Sequence, residues 1–156
     1  MRRVFVLAVV AGALVLPPQA WALEDEVQDA EGSEVALSAA GCRTVDIAKV
    51  GRDLFGFVVY RFHQIKRWCW DFPRVTSVST STYVSDVDPN MDYQGIVGSK
   101  SSFYTWCCES PRSGHYSFRQ GKFKNCVLWF PCTRTEYPWV KIRARGDGSY
   151  SWATGL

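Results

Sequence analysis

The chain has 156 residues, 47% hydrophobic and 15% aromatic, with six cysteines and a formal charge of +3. That charge is divided: residues 23–40 hold six carboxylates and no base, whereas residues 41–156 hold sixteen of the 18 basic residues and nine of the 15 acids, a −6 segment joined to a +7 body. A 116-residue body with 21 aromatics has material for one core and excludes a second domain.

The first residues, "MRRVFVLAVVAGALVLPPQAWA", place Arg2 and Arg3 before an apolar run from Val4 to Leu16 and an Ala20-Trp21-Ala22 site. This is the grammar of a secretory signal peptide over residues 1–22, and the run is shorter than the roughly 17 to 25 residues of a membrane-crossing helix. The expected product is secreted and extracellular, with no transmembrane span. Residues 23–40 alternate acids with small residues and lack aromatics, so they read as a flexible acidic tail.

From residue 41 the pattern is short β-rich runs separated by Gly, Pro, Asn and Asp. "CRTVDIAKVG" alternates, with Val45, Ile47 and Lys49 on one face. "LFGFVVYRFHQIKRWCW" fits a helical stripe about as well as an alternating strand, and its β-branched and aromatic residues favour strand. "RVTSVSTSTYVSDV" is the clearest strand, and "SSFYTWCC" is another. "HYSFRQGKFKNCVLWF" reads as two short strands or one bent at Gly121, and "WVKIRARGDGSYSWAT" as a hairpin reversing at Gly-Asp-Gly. The sum is an all-β fold, a single antiparallel β-sandwich over residues 41–156, immunoglobulin-like or jelly-roll-like.

All six cysteines lie beyond residue 22, and an even count in an exported chain predicts three disulfides. Cys126 and Cys132 are close enough for a local bridge if the chain turns at Pro131. Elimination then pairs Cys42 and Cys69 with Cys107 and Cys108, whose sulfurs point to opposite faces if both lie on a strand. The oxidising compartment argues against a cysteine nucleophile, and no zinc-type spacing occurs.

Other motifs have ordinary explanations. Asp86, Asp88, Asn90 and Asp92 offer oxygens at alternate positions. An EF-hand loop would need Gly where Met91 stands and Glu where Val97 stands, and Asp-Pro-Asn is a common turn. Arg145-Gly146-Asp147 matches an integrin-binding tripeptide, but a tight turn asks for the same residues. No G-x-S-x-G elbow appears, and no metal, cofactor or catalytic residue is assigned.

Two features carry the functional expectation. With Val140, Ile142 and Ala144 inward, Lys141, Arg143 and Arg145 form a cationic row on the outer face. Such a row is ordinarily a solvated face that discourages edge pairing; its functional reading is attraction to an anionic partner. Trp68 and Trp70 share one face with Gln64 and Lys66, which favours indoles outside; packing in the core is their ordinary role, and if exposed they form a stacking platform. Keeping Val58, Tyr60 and Phe62 inward at the same parity would then require a bulge near His63.

The expectation is therefore a secreted non-catalytic binding or structural module. Its ligand-binding residues are Trp68, Trp70, Lys141, Arg143 and Arg145. Its partner is an anionic cell-surface polymer, a glycan or a membrane surface, and not nucleic acid. The alternatives are a small secreted hydrolase with His63 or His115 as base, and a toxin or antimicrobial protein masked by its acidic tail.

Overall fold

The computed structural model describes residues 40–126, 132 and 134–156. The expected signal peptide, the expected acidic tail up to residue 39 and the turn expected at Pro131 lie outside the described residues; Ala40, assigned to the tail by composition, opens the first strand.

Two antiparallel sheets make up the fold, with no helix among the described residues. β1 (Ala40–Arg52), β2 (Val58–Asp71) and β3 (Arg74–Ser85) form a three-stranded sheet in chain order. β4 (Met91–Tyr104), β5 (Gly114–Asn125), β7 (Trp139–Arg145) and β8 (Tyr150–Gly155) form the second. β6 (Arg134–Glu136) pairs with β5 ahead of β7, and Gly121 N–H donates to Pro138 O between the two pairings. The run that fitted helix or strand is a strand preceded by a hairpin turn, and residues 114–125 are one strand rather than two. Each sheet is a meander of near neighbours in sequence. The interleaving of strands between sheets that an immunoglobulin-like or a jelly-roll-like topology requires is absent from this order, which corrects both expectations.

The facing sides of the sheets share one apolar interior. Tyr60 and Phe62 of β2 meet Met91, Phe123, Val140 and Ile142 of the second sheet, and the Tyr60 and Phe123 rings stack 4.0 Å apart. A second cluster joins Trp68, Trp70, Val75 and Ala144. The period of two along β2 explains both clusters. Pairing with β1 runs without a break from Ala40↔Asp71 to Gly51↔Tyr60, so no bulge falls near His63, and Tyr60, Phe62, Gln64, Lys66, Trp68 and Trp70 all point inward.

Trp68 is 0% exposed and Trp70 is 6% exposed, which overturns the expected platform. Each indole removes on the order of 200 Å² from water, worth at most roughly 5 kcal/mol. That gain outweighs keeping Gln64 and Lys66 in solvent, so the aromatics set the strand's orientation and the two polar residues follow.

The disulfides also correct the sequence reading: two bridges are present, not three. Cys126–Cys132 forms as expected, but Cys42 bonds to Cys69, its direct cross-strand partner on β2, and Cys107 and Cys108 are free. The elimination failed because β4 ends at Tyr104. Cys107 and Cys108 sit in the loop that follows, where Ser113 Oγ accepts from the Trp106 and Cys107 amides and Cys108 and Glu109 take positive φ. Desolvation, then the neighbouring Cys108, push the Cys107 thiol up to about 11, which keeps it protonated at neutral pH. Replacing Cys42 and Cys69 by Ser is expected to cost about 2–4 kcal/mol in denaturant melts. A loss near zero would mean the bridge adds nothing to the β1–β2 pairing.

Candidate functional site

The outer face of the second sheet carries an open cleft of about 500 Å³ lined by Tyr104, Trp106, Tyr116, Lys141, Arg143 and Arg145. Strand alternation builds it. Val140, Ile142 and Ala144 are fully buried, so Lys141, Arg143 and Arg145 project to the other side, as the sequence predicted. Tyr116 on β5 stands directly across from Arg143. Tyr104 closes β4 opposite Gly114, where a Cβ would lie 2.4 Å from the Tyr104 ring; a side chain there would displace the tyrosine from the cleft wall. The 105–113 loop brings Trp106 over the same end, with the Arg145 guanidinium 5.2 Å from its ring centre.

The formal charge of this lining is of one sign. Three cations line the cleft and no carboxylate does. No ion pair among the described residues includes Lys141, Arg143 or Arg145. Burial raises the Tyr104 phenol above its usual range, with Arg145 and Arg143 opposing the rise and the Asp147 carboxylate, in the turn beyond the lining, adding slightly to it. Phe118 and Trp139, with rings 5.9 Å apart, continue the outer face beyond Lys141. From Trp139 to Arg145 this surface runs roughly 20 Å along β7.

Of the residues expected to bind ligand, the structure thus unites Lys141, Arg143 and Arg145 and separates Trp68 and Trp70 from them. The aromatic partners are Tyr104, Trp106 and Tyr116, which sequence reasoning missed. Tyr116 carries a signal, the alternation of "HYSFRQ" that puts it opposite His115 and Ser117. Tyr104 and Trp106 carry none, because Tyr104 is placed by the pairing of β4 with β5 at Gly114 and Trp106 by how the 105–113 loop turns.

The remaining motifs resolve locally. Asp147 accepts from Ser149 N–H and Oγ–H within the β7–β8 turn, and Gly146 packs against the Pro73 carbonyl, so Arg145-Gly146-Asp147 is not displayed on a tip. Gly148, with φ +83, supplies the positive φ of that reversal. Asp86 pairs with Arg61, Asp88 accepts from Asn90 and Asp92 accepts from Gln94, so these carboxylates do not converge; no metal-type cluster occurs among the described residues.

The histidines occupy two different polar clusters. Between the sheets, Lys66 Nζ lies 2.9 Å from His115 Nδ1 and donates to His115 O, Ser117 Oγ and Ile142 O. Gln64 Nε2 also donates to Ser117 Oγ. Burial first, then Arg119, lowers Lys66 to about 7, and burial first, then Lys66, lowers His115 to about 4. On the outer face of the first sheet, His63 Nδ1 lies 3.1 Å from Asp46 Oδ1 and His63 Nε2 lies 3.0 Å from Ser85 Oγ. Tyr83 stacks on His63 and donates to Asp46 Oδ2.

Comparison with protein-family models, curated proteins and solved structures finds no match to this chain. The functional reading rests on the geometry above.

Proposed function

We propose that the protein is a secreted β-sandwich binding module whose outer cleft holds an anionic polysaccharide. One observation carries the reading: three cations and three aromatic rings line one open cleft with no carboxylate among them. Cations supply attraction and on-rate, and ring faces supply flat apolar contact for sugar rings. The cleft volume lies within the range of ligand sites, and the extension along Phe118 and Trp139 favours a chain over a compact ligand. The two disulfides, and the lack of a membrane-crossing helix among the described residues, are compatible with an extracellular location.

The test compares dextran sulfate with neutral dextran, which share a sugar backbone and differ in charge. Wild-type protein is expected to bind the sulfated polymer selectively, and Lys141→Glu with Arg143→Glu is expected to lose that binding with an unchanged melting temperature. Equal binding of both polymers, or full binding by the doubly reversed variant, rejects the proposal.

A second reading, a small hydrolase, is favoured by the Asp46, His63 and Ser85 arrangement, which reproduces the order of contacts in a charge-oriented serine nucleophile. In that reading Ser85 Oγ attacks an ester carbonyl as its proton passes to His63 Nε2. The alcohol departs with that proton, and water then hydrolyses the acyl-serine. A fluorophosphonate probe is expected to label Ser85 and to spare Ser85→Ala; absence of labelling in the wild type removes this reading.

A further inference from the structure

The β1–β2 hairpin ends in Asp53-Leu54-Phe55-Gly56-Phe57, and its three large apolar side chains are the most exposed ones among the described residues: Leu54 94%, Phe55 85% and Phe57 70%. Isolated exposed leucines and phenylalanines are ordinary, but three in four positions on one projecting turn form a patch that asks for an occupant. The turn is built to hold them out. Asp53 Oδ1 accepts from the Phe55 and Phe57 amides, Gly56 N–H donates to Asp53 O, and Asp53 N–H donates to Phe57 O. Gly56 takes the positive φ that lets the chain reverse.

We propose that this hairpin tip is a wedge that inserts into the interfacial region of a lipid bilayer, with Arg52 at its base contacting lipid phosphate. Size argues for lipid over protein. The three side chains expose on the order of 450 Å², about half of the ~800 Å² per partner of a standard protein interface. Shape argues the same way: Leu54 and Phe55 flank an open cavity of about 300 Å³ with Met91, Arg134 and Glu136 yet stay almost wholly exposed, and so projecting a tip needs a deep groove in a protein partner but only depth in a bilayer.

Backbone satisfaction lowers the usual penalty of entering a dehydrated region, because the amides of residues 53, 55, 56 and 57 already have partners within the turn, leaving the Leu54 amide and the Leu54 and Phe55 carbonyls to be met at the interface. Charge completes the fit. Asp53 is spent on capping the turn, while Arg52 donates to Gly56 O and forms no ion pair among the described residues, leaving guanidinium donors for a phosphate oxygen. Val87, in the β3–β4 connection whose Asp88 amide donates to Val59 O, adds apolar surface at the same end.

The tip and the cleft lie toward opposite ends of the molecule. β2 runs from Tyr60 against the far end of β5 at Phe123 to Lys66 against His115, and then to Trp70 against the β7–β8 turn. Insertion of the tip therefore leaves the Arg145 and Trp106 end of the cleft facing away from the bilayer. The two proposals use different residues and fail separately.

The experiment is co-sedimentation of the full chain with phosphatidylcholine vesicles containing phosphatidylglycerol as a minor component, at about 0.5 M salt so that attraction by the cleft is screened. Wild-type protein is expected to sediment, and Leu54→Ser with Phe55→Ser and Phe57→Ser to bind at least tenfold more weakly at equal stability. A Phe55→Trp variant is expected to show added emission that brominated acyl chains quench. Four results overturn the proposal. They are no sedimentation of wild type, undiminished binding by the triple variant, a melting temperature lowered in that variant by about 5 °C or more, which means the chain itself covers the tip, and a wild-type dimer that the triple variant abolishes.

Discussion

Stability of the folded protein is expected to rise with pH between about 7 and 9, at up to ~1.4 kcal/mol per pH unit, and Lys66→Met is expected to abolish that rise. The cause is an amine held between two sheets, 0% exposed, whose partners are an imidazole, a hydroxyl and two carbonyls rather than a carboxylate. Arg119, the other charged group acting on it, is a cation and lowers it further. Folding thus moves Lys66 from 10.5 to about 7.

Between those values the unfolded chain holds a proton that the folded one has released, so each step up in pH favours the folded state. Below about 7 both states are protonated, and the cost of the buried charge is constant and complete. His115, lowered from 6.5 to about 4, adds a second rise across that lower window. Past about pH 9 the rise is offset, because the folded chain keeps the Cys107 thiol proton up to about 11 while the unfolded chain releases it from about 9, and past about pH 10 the direction reverses. Burial and then Glu136 raise the Tyr60 phenol, so it stays protonated when folded while the unfolded chain ionises. Urea midpoints near pH 6, 7.5 and 9 check this, and a midpoint flat across the upper pair contradicts it. Lys66→Met also removes a buried charge, so its stability near pH 6 is expected to equal or exceed the wild type.

Trp68→Ala is expected to cost about 3–5 kcal/mol, against less than about 0.5 kcal/mol for Lys141→Ala on the outer face. Trp68 is fully buried and packs against both Trp70, 6.2 Å away, and Tyr150, 5.8 Å away, so its loss leaves a cavity between rigid rings. The binding readout should separate the same two residues in the opposite sense: Lys141→Ala weakens dextran sulfate binding, and whatever Trp68→Ala protein stays folded binds normally. A stable Trp68→Ala that no longer binds would return the indole to the ligand site.

These two residues show where the sequence is legible and where it is not. Strand alternation in residues 140–145 alone places Val140, Ile142 and Ala144 inside and the three cations outside, because all the apolar residues there share one parity and only Trp139, just before them, stands on the cationic side. In β2 both parities carry mixed chemistry, and only the packing of the facing sheet shows that Trp68 and Trp70 draw Lys66 inward with them. The cysteines fail differently. Reading Cys107 and Cys108 as strand residues depends on where β4 stops, and a turn organised by Ser113 from six or seven residues downstream leaves no local trace. Cys42 and Cys69 meet because of register, which no spacing rule supplies. The aromatic wall of the cleft has the same origin, since Tyr104, Tyr116 and Arg143 come together through pairing across β4, β5 and β7.

Titration calorimetry of the wild-type protein with dextran sulfate across a series of salt concentrations tests the cleft most directly. The logarithm of affinity is expected to fall linearly with the logarithm of salt, with a slope corresponding to about three released counterions, and Arg143→Ala is expected to reduce that slope by about one. An affinity independent of salt, or a slope that Arg143→Ala leaves unchanged, contradicts the account.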